Sequence, residues 1–474
     1  MTRIAIIGGG ISGLAAAFAL EERRSAAAVG YTLYESSPRF GGVLRTEHIQ
    51  GCVVEAGPDS FLSEKPWAAD LCCALGLGDQ LIGSNDADRK TYILVRGRLI
   101  PMPDGLMFMV PTKILPTGFS PLFSWATKLR MAKELFHPRR DGGTDESVAS
   151  FVERHYGVEM VDRLADPLLG GVYGGEAASL SVRAVLPRFA EMERSHGSLG
   201  RAMLAARKKM LVPANKRPAL FTSLKNGMQH LVETLVLRLN QPSLLTNTAV
   251  QSIQREPGAG WIVSAGQKSD HFDAVILAVH AHVASHLLST CSADLSKELA
   301  TEVVPELAAE LAAIQYSSSI TVGLAYDRAV RQSLPPGFGF LVPRIEGKRL
   351  LAATFVHNKF PYRAPEDRAV LRCSLAGSNA ENVWQLSDDA IVGVVRSELR
   401  EILGLSAEPL FARVYKWKAA MAQYGVGHLE RLDRIERLRQ QLPGLALAGN
   451  GYRGIGVPDC IRGGQEAARQ VLMM

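Results

Sequence analysis

Gly8, Gly10 and Gly13 follow the apolar run Ile4–Ile7 and lead into an alanine-rich stretch that begins at Leu14. Glycines at this G-x-G-x-x-G spacing suit one task, holding a dinucleotide. The first permits a tight turn out of a strand, the second brings bare backbone up to a pyrophosphate, and the third lets the next helix pack close to its sheet. The helix N-terminus then faces the anion. Glu35 ends the next strand-like run, Tyr31–Tyr34, at the distance where an acidic side chain meets the ribose hydroxyls of the adenosine half. A glycine-rich turn without a ligand is the competing explanation, and the strand, helix and acid in their places argue against it.

Behind Glu35 comes Arg39-Phe40-Gly41-Gly42-Val43-Leu44-Arg45-Thr46, whose glycine pair would carry the chain past ribose and pyrophosphate a second time. A typical nicotinamide enzyme has no need of it. Here the sequence resembles flavoenzymes of the glutathione-reductase and amine-oxidase type, which implies FAD rather than NAD; taken alone, Gly41-Gly42 is an ordinary loop turn. A further cluster, Gly170-Gly171-Val172-Tyr173-Gly174-Gly175, precedes no alanine-rich helix and lacks the context of a nucleotide turn. With no NADPH unit in the sequence, electrons leaving a flavin are expected to pass to oxygen or an external acceptor. The cofactor supplies the hard chemistry; the protein supplies position and electrostatics.

The elements that position these residues are spread along 474 residues, too many for one core. A second piece of the nucleotide fold is expected at the amphipathic helix Gln229–Arg238, followed by strands at Thr246–Val250, Trp261–Ser264 and Asp273–Val279, the last a continuous apolar run of the parallel-sheet kind. A third is the strand Leu445–Ala448 and the helix Asp459–Met474. Between the first two pieces helical periodicity dominates. Later, helices at Leu295–Ile314 and Asp388–Leu403 alternate with strands at Ser319–Tyr326, Leu350–Phe355 and Ala369–Ala376, a mixed-sheet pattern. The fold class is therefore α/β: a discontinuous Rossmann-type FAD-binding domain (1–66, 220–285 and 427–474), a mixed-sheet substrate domain (67–109, 208–219 and 286–426) and a helical domain (110–207) that faces a membrane or forms a lid.

Apolar and charged fractions of 47% and 21% are those of a globular chain, and a net charge of +6 is mild for this length. Basic runs are short and carry no interleaved aromatics, so nucleic acid is not expected as a partner. With a strand expected to begin at Arg3, no secretion signal is expected before it, and the chain is expected in the cytoplasm. Its six cysteines are scattered without metal spacing and are expected as thiols, Cys72-Cys73 included. His280, His282 and His286 have no carboxylate at suitable spacing, so no metal is expected there. Ser60 lacks the Gly-x-Ser-x-Gly elbow of a hydrolase. From Gly105 to Trp125 the chain is rich in Met, Phe, Leu and Pro, with a single charge at Lys113. This stretch suits either a membrane surface, at the inner face, or a lid over an apolar cavity.

Three blocks name a family. Gly57-Pro58-Asp59-Ser60-Phe61-Leu62, Pro167 through Gly175, and Asn450 through Ile461 together resemble the oxygen-dependent porphyrinogen oxidases of haem synthesis. Trp417 through Gln423-Tyr424 and Gly427-His428 resembles the same family, so the likeness spans essentially the whole chain. It implies a six-electron oxidation of a porphyrinogen in three rounds, with FAD as acceptor and O2 reoxidising it to hydrogen peroxide. The Asp59-Ser60 form and the Pro458-Asp459 ending look like the bacterial branch that takes coproporphyrinogen III; protoporphyrinogen IX is the alternative. Handover of product to a ferrochelatase is the partner contact this pathway implies.

Carried over by position, the family's FAD contacts fall on Gly8, Gly9, Gly10, Ile11, Ser12 and Gly13 at the pyrophosphate, Glu35 and Ser36 at the ribose, and Gly41, Gly42 and Val43 behind them. Gly57, Pro58, Asp59 and Ser60 lie near the flavin, Val250 meets adenine through its backbone, and Trp417 approaches the isoalloxazine. Ile455, Gly456 and Val457 offer backbone N–H groups to the pyrimidine edge. Lys65, Lys90 and Arg98 are the candidates for substrate propionates. The family often has proline before the Gln-Tyr pair, where this chain has Ala422. No catalytic acid or base is named, because the ring nitrogens can rearrange their own protons. An amine oxidase or desaturase on the same scaffold, and a non-catalytic FAD-stabilised tetrapyrrole binder, remain as alternatives.

Overall fold

The computed structural model describes residues 2–24, 28–107, 109–111, 113–140, 144–209, 219–256, 260–291 and 302–473. Its centre is a five-stranded parallel sheet drawn from distant parts of the chain. Thr2–Ile7 lies in the middle, with Val29–Tyr34 and Leu244–Leu245 on one side and Ala274–Leu277 and Leu445–Leu447 on the other. Ile4, Ala5, Ile6, Val275 and Ile276 are completely buried, as strands covered on both faces must be. One cover is made by the helices Ile11–Glu21, Gln229–Arg238 and Val457–Leu472. The other combines the antiparallel meander of Val250–Glu256, Gly260–Ala265 and Lys268–Phe272 with the helices Ala281–Ser289, Val304–Ala312 and His428–Gln440.

The first crossover leaves Thr2–Ile7 toward one side of the sheet while Ala274–Leu277 joins from the other. Their C-terminal ends therefore part at Gly8, the switch point where open α/β sheets bind ligands. Glycine is required there for space. A Cβ on Gly13 would lie 1.9 Å from the Gly8 carbonyl oxygen, and one on Gly464 would lie 2.1 Å from that of Ser12. Gly13 thus sets the helix against the turn that precedes it, and the first and last helices meet backbone to backbone where Gly464 lies on Ser12.

A second sheet has seven strands in the order Phe411–Ala422, Tyr316–Tyr326, Ala369–Ala376, Ala352–Phe355, Gly339–Leu341, Thr91–Val95 and Arg98–Pro101. It is mixed because Gly339–Leu341 runs parallel to Thr91–Val95, and the amphipathic helix Asp388–Leu403 covers one face. A helical layer follows, built on Trp125–Glu134, Val148–Tyr156, Asp166–Tyr173, Pro187–His196 and Leu199–Lys209 around Phe151, Tyr156 and Leu164.

Several elements begin and end where periodicity puts them, among them Gln229–Arg238, Ala369–Ala376 and Asp388–Leu403. The strand expected at Thr246–Val250 is not one element. Leu244–Leu245 closes the parallel sheet, the chain turns through Asn247 in the left-handed region (φ 50°), and Val250 opens the meander instead of ending a strand. The turn is held to Glu35, whose N–H donates to the Leu245 carbonyl and whose carbonyl accepts from Thr248 N–H, both at 2.8 Å. The last helix starts two residues early, at Val457, because proline fits the first turn without costing a hydrogen bond. Of the helix expected over Leu295–Ile314, Val304–Ala312 is helical and residues 292–301 lie outside the described residues.

Candidate active site

At the end of the central strand, Gly8 takes φ +109°, and a Cβ there would strike the Ala278 carbonyl oxygen at 2.4 Å. Gly10 differs, because a Cβ on it would meet no atom within 4 Å. That face of the turn is open. The helix Ile11–Glu21 starts from Gly10 with no side chain capping it and no acid in its first turn, which leaves its first N–H groups free for an anion. Gly41 N–H donates to the Gly9 carbonyl at 2.8 Å and pairs beside Gly10, so the second glycine pair lies directly against the first turn. Glu35 accepts from Gly9 N–H and Ser37 N–H, each at 2.8 Å, and lies beside Ser36. Two glycine loops, one open Gly10 face and an acid at a strand end fit a dinucleotide.

Gly57 presses on Val43; a Cβ there would stand 2.1 Å from the Val43 carbonyl oxygen. The run from Glu55 to Ser60 is then gripped by side chains remote in sequence. Arg363 forms a fully buried pair with Glu55 at 2.5 Å. Trp417 Nε1 donates to the Ala56 carbonyl at 2.8 Å, and Arg372 donates to the Gly57 carbonyl at 2.7 Å. Lys359 Nζ reaches both oxygens of Asp59, at 3.1 and 3.0 Å, and Ser60 Oγ at 3.1 Å. Burial pushes the Asp59 carboxyl up, and Lys359, Arg372 and the Ser60 hydroxyl more than overcome it, holding it well below the usual carboxylate range. Glu55, Lys359, Arg363 and Arg372 were not among the residues singled out from sequence. A lone basic residue about 300 positions from its partner leaves no local pattern to read.

The remaining blocks converge on the same side of the sheet. Gln423 donates to the Tyr173 carbonyl at 2.5 Å, and a Cβ on Gly175 would meet Gln423 Oε1 at 1.9 Å. Tyr424 donates to the Asn450 carbonyl at 2.7 Å, accepts from Gly454 N–H at 2.8 Å and stacks on His428 at 4.1 Å. Ala422, at the proline position, ends its strand fully buried. Ile455 and Gly456 lead into Val457–Leu472, which also starts with no side-chain cap. Asp459, buried in that first turn, is bound by Lys65 Nζ at 2.6 Å.

That pair changes the substrate candidates, because the Lys65 charge is already answered. Lys90 and Arg98 do not come together either. They stand at opposite ends of a hairpin in which Tyr92 pairs with Pro101 and Val95 with Arg98, and both are exposed. His280 precedes the helix Ala281–Ser289 without a side-chain cap bond and packs with His282 on Tyr316. Burial pushes the His280 ring down to about 4, so it is neutral at ordinary pH. The six cysteines are free. In the Gly105–Trp125 stretch, Leu122 and Phe123 belong to the core, whereas Phe119 and Trp125 are 83% and 78% exposed. Leu115, Leu129 and Phe136 extend the same exposed apolar set. Among the described residues, no helix is long and apolar enough to cross a membrane.

The family model described as flavin containing amine oxidoreductase matches residues 11–472. The chain is 32% identical to a coproporphyrinogen III oxidase of Bacillus subtilis, covering 99% of this chain and 97% of that one. It is 28% identical to protoporphyrinogen oxidase 2 of Arabidopsis thaliana, over 99% of this chain and 94% of the other. Among solved structures, a provisionally named protoporphyrinogen oxidase of Exiguobacterium sp. 255-15 superposes with a TM-score of 0.86 at 28% identity, covering 100% of this chain and 99% of that one. Cyclohexylamine oxidase of Brevibacterium oxydans shares the fold, at a TM-score of 0.67 and 17% identity over 100% and 99% of the two chains. The open glycine cradle and these full-length likenesses agree, and the chain belongs to the flavin-containing amine oxidoreductases, as an FAD-dependent member related to the porphyrinogen oxidases.

Proposed function

We propose that this protein oxidises a porphyrinogen to the porphyrin in haem synthesis, with coproporphyrinogen III as its preferred substrate, O2 as acceptor and hydrogen peroxide as co-product. The observation that carries the reading is the full-length likeness to relatives named coproporphyrinogen III oxidase, at 32% identity in both Bacillus subtilis and Propionibacterium freudenreichii. In this reading the division into FAD-binding, substrate and helical units stands with the boundaries given above.

Bound FAD supplies a two-electron acceptor, and this chain's residues hold and tune it. The Gly8–Gly13 turn and its uncapped helix take the pyrophosphate, Glu35 and Ser36 the ribose, and the backbone at Val250 the adenine. Gly57 through Ser60 and Trp417 line the isoalloxazine, held still by Arg372 and by the Lys359–Asp59 pair. Backbone N–H groups at Gly456 and Val457, at the positive end of a helix, favour negative charge at the pyrimidine edge. Lys65, by pairing with Asp459, keeps that carboxylate from opposing them.

The exposed Phe119, Trp125, Leu129 and Phe136, with Lys128 over the Trp125 ring at 4.5 Å, support a peripheral membrane contact. A lid would bury such side chains. A cytoplasmic enzyme resting on the inner membrane face could hand its product to a ferrochelatase there. The test of substrate is to mix purified yellow protein under air with coproporphyrinogen III and, separately, with protoporphyrinogen IX, following porphyrin fluorescence and peroxide. Faster coproporphyrin formation is expected. Faster protoporphyrin formation overturns the substrate, and activity on neither returns the protein to the amine-oxidase or binding-protein readings. Joint replacement of Phe119, Trp125 and Phe136 by Ser should abolish flotation with anionic liposomes; unchanged flotation removes the membrane contact.

A further inference from the structure

Three side chains that no spacing rule joins meet in the helical layer. His137 follows the helix Trp125–Glu134, His155 lies in Val148–Tyr156, and Glu193 lies in Pro187–His196. One donor atom of each lies within 4.8 Å of the other two. Hydrogen bonds hold both histidine rings. His137 Nδ1 is 3.1 Å from the Pro138 carbonyl oxygen, which can only accept, so the proton sits on Nδ1 and Nε2 keeps its lone pair. His155 Nδ1 is 3.1 Å from Glu134 Oε1, and its Nε2 lies 3.3 Å from Glu193 Oε1. Glu134 is fixed in turn by the Ser198 hydroxyl at 2.9 Å and by the N–H groups of Leu199 and Gly200 at 2.6 and 3.2 Å. Metal-ligating histidines have their far N–H held in this way, on a carboxylate or a backbone carbonyl; the near nitrogen of His155 meets Glu193, the third member of the set.

We propose that His137, His155 and Glu193 form a binding site for a divalent cation of the zinc class, with water completing the coordination. A cavity of about 400 Å³, lined by Arg130, Lys133, His137, Glu153, Arg154 and His155, gives the ion access and the water room. Three protein ligands and one open position are a common zinc arrangement. Carboxylates gather here: Glu134 and Glu193 both meet His155, Glu193 and Glu146 both meet Arg154, and Arg140 lies 3.6 Å from Glu146. With His155 neutral as a ligand, the three carboxylates exceed Arg154 and Arg140 by one negative charge. Arg130, Lys133 and Glu153 line the cavity from exposed positions, where water screens them. Binding replaces any proton on His155 Nε2 by the cation and leaves the Arg154 pair with Glu193 in place. The rings of His137 and His155 stack at 4.3 Å and 27°. Closing the ligand set takes a turn of the half-buried His137 ring into the cavity, which exchanges its Pro138 contact for the ion. The ion would then tie three helices together, independently of flavin or porphyrinogen.

The test uses the intact flavoprotein, freed of metal by a chelator and titrated with Zn2+ by calorimetry and with Co2+ by visible absorption. One cation per chain is expected, with a Co2+ spectrum that shows nitrogen and oxygen ligands and no sulfur charge-transfer band. Zn2+ should raise the melting temperature. His137→Ala, at the cavity edge, should lose at least about tenfold in affinity and the melting shift, and Glu134→Gln about 10–100-fold. Glu153→Gln should bind as the parent does. No saturable binding by the parent, a sulfur-ligated spectrum, or equal affinity in His137→Ala overturns the site, whatever the outcome of the porphyrinogen assay.

Discussion

Three helices of the helical layer and the two that begin at the proposed flavin crevice treat their first turns in opposite ways; the layer helices Asp166–Tyr173 and Pro187–His196 carry proline in the first turn and no side-chain cap. Ser124, Ser147 and Ser181 each cap a layer helix, accepting from the N–H of Thr127, Ser150 and Ala184. The helices after Gly10 and Gly456 have no such cap. A missing cap is not by itself a site. Gln229–Arg238 also lacks one, yet its early N–H groups go to Glu55 and Thr46, at 2.8 and 3.1 Å. What distinguishes Gly10 is free donors together with open space. In the proposed reading the serine-capped helices are finished by their own chain, and the two crevice helices by the cofactor.

The largest break in that contrast should come from Gly13→Ala. Its Cβ would sit 1.9 Å from a backbone oxygen that cannot move aside, so a loss above about 3 kcal/mol is expected, seen as colourless, poorly folded protein by absorbance and circular dichroism. Stable yellow protein would refute the packing. Lys359→Met strands the buried Asp59 carboxylate and should cost about 3–5 kcal/mol in denaturant melts. Adding Asp59→Asn should return much of it; if the double variant is no better, the pair is not the cause.

Acid sharpens the same point. Because the folded Asp59 carboxyl is held low, its contribution is complete above the unfolded value near about 3.9 and fades as pH falls through the folded value. The stability gap between the parent and Asp59→Asn should therefore be constant from pH 7 to about 5 and shrink below about 4. A gap that stays constant to lower pH would remove the charge explanation. Ser147→Ala should cost about 1 kcal/mol with flavin content unchanged, measured by thermal melts and absorbance. Gly10→Ala is the smallest change to the apoprotein, within about 0.5 kcal/mol, but flavin affinity should fall because the methyl occupies the open face. Equal loading in Gly10→Ala would end the comparison between the two kinds of helix start.

Local features were legible in the sequence. The Gly8–Gly13 turn, the buried strand at Ala274–Leu277 and the amphipathic helix Asp388–Leu403 are short-range patterns set by backbone sterics and burial. Thr246–Val250 was misread because apolar character says nothing of Asn247, where the chain leaves one sheet for another. Lys65 rests on the family resemblance and Lys90 and Arg98 on charge beside a strand, and neither ground reports the Asp459 partner or the hairpin register that separates the other two. The grip on Glu55–Ser60 was invisible for a stronger reason: Lys359, Arg363 and Arg372 meet it only through tertiary folding.

The backbone contact between Gly464 and Ser12 also fixes a timetable. Ile11–Glu21 leaves the ribosome early, yet the helix that covers it is translated roughly 430 residues later, some 20–90 s afterwards at about 5–20 residues per second. Through that interval the nascent nucleotide turn has its apolar flank uncovered. The nucleotide turn, with its last helix in place, is therefore complete only at the end of synthesis.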